Sequence, residues 1–128
     1  MVKMIMNNRS GLKRFGQSTK NALNGINYAI KTELHFRYHL IAVVAVVILG
    51  LITPISRVEW LIIAMLVGGV LMSELFNTAL EKLTDLVSPE QQPDAGLVKD
   101  LAAGAVLILA LIAALVGSFI FVPKYFTL

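Results

Sequence analysis

Cysteine is missing altogether from the 128 residues. That excludes disulfides, cysteine metal sites and thiol chemistry, and leaves the compartment open. Charge is scarce as well: 15% of the residues are charged, against 57% apolar. A soluble domain carries about 25% charged residues. With a mean hydropathy of +0.78, the chain falls in the membrane class, and its length fits one domain. No G-x-x-x-x-G-K-S/T run occurs, so there is no P-loop, and the protein-kinase motif set is absent too. Repeats, low-complexity tracts and domain linkers are lacking. A cleaved signal peptide is not expected, because the first apolar run begins too late and no small-residue cleavage pattern accompanies it.

What the chain does have is three long apolar runs. Residues 38–56 hold no Asp, Glu, Lys or Arg over 19 positions, and residues 101–123 are uncharged over 23. Residues 60–80 are apolar except for Glu74 and Asn77. About 20 residues at 1.5 Å each cross the hydrocarbon. The expectation is an all-α membrane protein with transmembrane helices at about 36–55, 58–84 and 95–122. Seven of the 11 Lys and Arg residues precede the first run: Lys3, Arg9, Lys13, Arg14, Lys20, Lys31 and Arg37. The net charge of +3 therefore points to anionic lipid headgroups rather than nucleic acid. By the positive-inside rule the N-terminus is cytoplasmic, the "TPISRVE" loop outside, the loop at 81–100 inside and the C-terminus outside. Trp60 and Tyr125 then sit at the outer interface, as aromatic belts do.

Before the first run, Leu12, Phe15, Thr19, Leu23, Ile26 and Ile30 recur at three- and four-residue spacing among basic and amide residues. That predicts an amphipathic surface helix over about 11–32, either a plain anchor or a roof over a site. Pro54 breaks the first span. Ser56 and Glu59 fit a capping box for the second. "SPEQQPDAG" reads as a loop, with Asp94 as the N-cap of the third. Gly68, Gly69, Ala102, Ala103, Gly104, Ala105, Ala113, Ala114 and Gly117 allow close helix approach. Three spans make a thin bundle, so an oligomer is expected.

The polar groups inside this frame carry the functional signal. A carboxylate at a span's centre costs about 2.5–3.5 kcal/mol on insertion scales. Glu74, nearer the cytoplasmic end, costs less, yet intramembrane carboxylates are functional by default. Glu81 lies seven residues on, on the same helix face, about 10.5 Å along the axis. Asn77 lies between them and Asp85 continues the stripe. Taken singly, Glu81 and Asp85 read as a solvated helix end, Glu74 as a neutral hydrogen-bonded group and Asn77 as interhelical glue. Together they read as a site. Glu33, in "KTELHFRYH", and the Lys99–Asp100 pair fall at the same cytoplasmic level. Carboxylates without cysteine suit Mg²⁺, which also takes phosphate oxygens and water. Lys99 and the basic surface helix suit phosphates. His35 and His39, four apart, allow a zinc reading, but no third ligand is evident, and interfacial packing is the expected role. Composition and spacing support a membrane protein with a cytoplasm-facing acidic site capable of binding a metal. They do not reach the reaction.

"ELFNTALEKLTD", a short polar loop and then "KDLAAGAVL" closely resemble the small prokaryotic membrane lipid kinases, the diacylglycerol kinase and undecaprenol kinase family. The resemblance covers about residues 11–124, and "TELHFRYH" aligns without gaps to the family's approach to its first span. It implies three transmembrane helices, an N-terminal surface helix and a homotrimer with active sites shared between subunits. It also implies transfer of the ATP γ-phosphate to a lipid hydroxyl with Mg²⁺. Carried over by position, it implies Glu74 as general base and Glu33 and Glu81 as metal carboxylates. Arg14, Glu33, Asn77, Glu81, Glu90, Gln91, Gln92, Lys99 and Asp100 are implied nucleotide contacts. Arg14, Ser18, Glu74 and Ala103 are implied lipid contacts. Such a reaction needs mainly positioning and charge neutralisation, with the base at headgroup depth. Asn21 stands where the diacylglycerol branch often has an aromatic nucleotide contact. "VEWLIIAMLVGG", "NTALE", "KDLAAGAVL" and "FIFVPK" resemble the undecaprenol kinase branch more. Undecaprenol is the expected substrate, recycled as the cell-wall lipid carrier, with diacylglycerol the alternative. A non-catalytic membrane oligomer is the alternative of a different class, although Glu33 and the Lys-Asp pair have no obvious use in a channel.

Overall fold

Four α-helices run in chain order: α1 Gly11–Thr32, α2 Leu34–Ile52, α3 Arg57–Val87 and α4 Pro93–Phe126. They come from a computed structural model that describes residues 11–90 and 92–126. The last three are each long and apolar enough to cross a membrane. Lys3 and Arg9, counted in the basic N-terminal cluster, lie outside the described residues.

Local chemistry sets the breaks. Glu33 adopts an extended conformation (φ −97°, ψ 112°) that separates α1 from α2. The Thr32 hydroxyl lies 3.0 Å from the Tyr28 carbonyl oxygen and 2.9 Å from Glu33 Oε1. Thr53 is extended at φ −107°, ψ 136°, because a residue before proline is pushed out of the helical region. Helix α2 therefore stops at Ile52 rather than near 55. The capping box at Ser56 forms: Glu59 N–H donates to Ser56 Oγ (3.2 Å) and Ser56 N–H to Glu59 Oε2 (2.6 Å). Helices α3 and α4 run past the apolar segments into polar sequence, to Val87 and back to Pro93. Pro93 opens α4, where its missing N–H costs nothing. Asp94 is consequently inside the first turn and not the N-cap that its position suggested.

Two antiparallel hairpins share α3. A Cβ on Gly69 would stand 3.2 Å from Leu109 Cδ2, so small size at this position lets α4 lie close to α3. In the other hairpin, a Cβ on Gly50 would stand 2.7 Å from Trp60 Cη2. The glycine is the notch that receives the indole. Nearby, Ile63, Ile120 and Phe121 form the buried cluster, flanked by Val46, Leu49 and Ile55. Thr53 Oγ1 and Tyr125 Oη lie 2.6 Å apart, and Lys124 Nζ lies 3.2 Å from Glu59 Oε1. The packed core thus sits at the end holding the α2–α3 turn, hereafter the tail end.

Little else is interior to one chain. Met65 is 79% exposed and Leu107 59%, a surface suited to hydrocarbon or to further helices. Helix α1 buries only Ala29. It docks through its last turns, where Lys82 Nζ lies 5.7 Å from the Tyr28 ring centroid, a cation–π geometry.

Candidate active site

The opposite end of the bundle collects the polar groups. It comprises the start of α2, the second half of α3 and the start of α4. Glu74 is 4% exposed. Its Oε1 lies 3.0 Å from His39 Nε2 across the α2–α3 interface. The hairpin register that sets Gly50 against Trp60 also sets His39 against Glu74. The carboxylate is therefore neither free in an apolar helix nor paired along its own ladder. It is held by a side chain that the sequence had assigned to packing. His35 turns away, its ring edge-on to Tyr38 at 6.3 Å, so the two histidines serve different partners. A depth comparison across the hairpin was the signal available for His39: an intramembrane donor facing an intramembrane acid.

One helical turn toward the loop, Asn77 Nδ2 donates to Glu81 Oε1 at 2.9 Å. Asn77 Oδ1 is buried and has no hydrogen-bond partner among the described residues. An oxygen left in that state is costly unless a donor or cation meets it. Beyond it, Lys99 forms an ion pair with Asp85, tying α4 to the end of α3. Asp85, Glu90, Gln92 and Lys99 line one polar hollow of about 610 Å³ beside the α3–α4 connection. Among the expected nucleotide residues, Glu90, Gln92 and Lys99 are thus gathered on one hollow, with Asp85 as an addition the ladder already contained. Gln91 lies outside the described residues.

Other expected residues stand apart. Arg14 and Ser18 are on the exposed first half of α1, and Asp100 and Ala103 are exposed on α4. Glu33 is half-buried at the α1–α2 break, with Thr32 as its hydrogen-bond partner. Asn21 is exposed and accepts from Gln17 at 3.0 Å. Among the described residues, no three His, Asp or Glu side chains gather closely enough to hold a metal unaided. A hard cation that takes one or two carboxylates and completes its shell with phosphate and water needs no such cage. The partnerless Asn77 oxygen beside Glu81 fits that pattern.

Between the three apolar helices runs a cavity of about 330 Å³. It is lined by small and branched residues, among them Ala42, Val46, Val70, Ala113 and Gly117, and its single ionisable lining group is His39. The buried Glu74 carboxylate reaches this cavity only through His39, which lines it.

Three apolar helices with an acid–histidine contact between apolar and polar levels define a helical membrane protein with a site at one end. The family model described as prokaryotic diacylglycerol kinase matches residues 20–121. The chain belongs to that family of lipid kinases. Its relatives include an undecaprenol kinase of Bacillus subtilis, 42% identical over 116 residues, covering 91% of this chain and 94% of that one. A diacylglycerol kinase of Synechocystis is 34% identical over 112 residues, 87% of this chain and 64% of that one. The diacylglycerol kinase of Escherichia coli K12 is 26% identical over 109 residues, 85% and 89% respectively.

Proposed function

We propose that the chain transfers the γ-phosphate of ATP to the hydroxyl of undecaprenol at the cytoplasmic membrane surface, yielding undecaprenyl phosphate. The observation that carries this reading is the buried Glu74 carboxylate, 3.0 Å from the His39 that lines the apolar cavity and one turn of α3 from the polar pair Asn77 and Glu81. A lipid alcohol has its hydroxyl at such a boundary. Glu74 accepts the hydroxyl proton while the lipid oxygen bonds the γ-phosphorus and the bond to the ADP oxygen breaks. Glu33 and Glu81 would hold Mg²⁺, with Asn77 ordering Glu81. When bound, the ion supplies neutralisation of the phosphate oxygens. Lys99, Asp100, Arg14, Glu90, Gln91 and Gln92 contact the nucleotide, and Arg14, Ser18 and Ala103 contact the lipid.

The basic N-terminal segment supports a cytoplasmic N-terminus, with α1 lying amphipathically on the inner surface. The exposed apolar faces and the spread of the expected contacts over separate surfaces of one chain support a homotrimer with shared sites. The similarity to the Bacillus subtilis undecaprenol kinase favours undecaprenol over diacylglycerol. The test is direct: supply detergent-solubilised protein with Mg-ATP and either undecaprenol or diacylglycerol. A higher kcat/KM for undecaprenol is expected. A preference for diacylglycerol reverses the substrate assignment, and phosphorylation of neither removes the kinase reading.

A further inference from the structure

The His39–Glu74 contact asks for a reason. Helix α2 is apolar from Leu40 to Ile52, and a histidine facing an otherwise apolar cavity is out of keeping with that wall. Its Nε2 lies 3.0 Å from Glu74 Oε1. It is the ion-pair partner that the fold sets against this carboxylate. A buried carboxylate without a donor is expensive, and a single donor offsets part of that cost. A donor on one oxygen also does something a nonspecific polar setting does not. It can fix the plane of the carboxylate and leave the second oxygen for another partner.

We propose that His39 is a positioning residue for phosphoryl transfer. Its Nε2–H donates to Glu74 Oε1 and aims Oε2 at the lipid hydroxyl. This rests on the reading of Glu74 as the base. The proton taken from the hydroxyl goes to Oε2, and His39 exchanges none. The arrangement follows the logic of any base oriented by a third group, where the orienting contact lies away from the reacting atoms. Misplacing a base by about 1 Å costs on the order of 100-fold in rate. The role is therefore kinetic, and it is confined to the lipid side: His39, level with Glu74, is separated from Glu81 by the turn of α3 that carries Asn77, and the Lys99–Asp85 pair lies a further turn away.

The experiment uses the full chain in detergent with Mg-ATP and undecaprenol. His39→Leu is expected to lower kcat about 100-fold while leaving the KM for ATP unchanged. His39→Gln, which keeps an N–H donor on a chain of similar reach, is expected to recover most of that loss. Combining His39→Leu with Glu74→Gln is expected to be no slower than Glu74→Gln alone, since one group acts through the other. In protein carrying ¹⁵N-histidine, Glu74→Gln is expected to move the His39 ring resonances and leave those of His35 in place. This readout needs no substitution at His39, so it decides even where His39→Leu does not fold. A His39→Leu enzyme with unchanged kcat overturns the proposal, as do His39 resonances insensitive to Glu74→Gln. Full activity in Glu74→Gln removes instead the base reading on which the proposal stands, so the two failures are distinguishable.

Discussion

At the tail end Trp60 fills the notch at Gly50, and Ile63, Ile120 and Phe121 pack together. At the site end Glu74 is buried against one histidine, and Asn77 Oδ1 has no partner among the described residues. The same three helices build both ends. At the tail end polar groups close on one another: Thr53 with Tyr125, Ser56 with Glu59, Glu59 with Lys124. At the site end they are held on one side and open on the other. Asn77 is bonded through Nδ2 and has no partner for Oδ1 among the described residues, Glu74 Oε1 lies 3.0 Å from His39 Nε2, and Lys99 is paired at the rim of a hollow. Stability and chemistry are divided along the helix axes. On the proposed reading, the packed end holds helix register while the other end keeps polar groups for ligands, the usual trade at a functional site.

Substitutions can break this division or sharpen it. The largest effect is expected from Glu74→Gln. Loss of the proposed general base costs about 10²–10⁴-fold in rate, and glutamine matches glutamate in size and shape. Lipid phosphorylation should fall by that factor while the unfolding midpoint in detergent does not drop. A fall in both would merge the two ends. Next comes Glu81→Gln, which removes a carboxylate oxygen from the proposed metal set and changes what Asn77 bonds. Apparent Mg²⁺ affinity should weaken about 10- to 100-fold, read from rate against Mg²⁺ concentration at saturating ATP. An unaltered Mg²⁺ titration would remove Glu81 from the metal set.

The tail end should answer in the opposite sense. Gly50→Ala places a methyl against the rigid indole of Trp60 and should destabilise by about 1–3 kcal/mol. The unfolding midpoint should fall while kcat of the folded fraction holds. Tyr125→Phe deletes the hydrogen bond to Thr53, worth about 0.5–1.5 kcal/mol, again without a kinetic effect. Lys124→Gln is expected to be smallest. Glu59 keeps its bond from the Ser56 N–H, so the midpoint should not move measurably. A kinetic defect in any of these three would show that the tail end does more than hold the bundle.

Much of the fold was legible because its signals are local. Runs without charge mark the apolar helices, Ser56 and Glu59 sit three apart, and Pro54 stops a helix by its own geometry. Helix ends were less legible. Helix α3 continues to Val87 and α4 begins at Pro93 because polar sequence remains helical beyond the apolar runs, and hydropathy sees only the runs. Of the site, the stripe from Glu74 to Asp85 was legible as a repeat on one helix. Its partners were not. That Asn77 serves Glu81 could be guessed from spacing, but that Lys99 serves Asp85 and His39 serves Glu74 depends on how two hairpins slide and rotate.

By itself, the sequence determined the class of protein, the three apolar helices, the three- and four-residue apolar spacing of the N-terminal segment and the presence of acids where apolar and polar segments meet. These follow from hydropathy, helical periodicity and propensity, which act within a few residues. Only the tertiary structure decided which groups face one another: the indole of Trp60 against Gly50, the close approach of Leu109 to Gly69, and the imidazole of His39 on Glu74. Such contacts join residues distant in the chain, and their geometry depends on the packing of whole helices. A histidine four residues from another looked like interfacial packing until the hairpin register set it against the one buried acid.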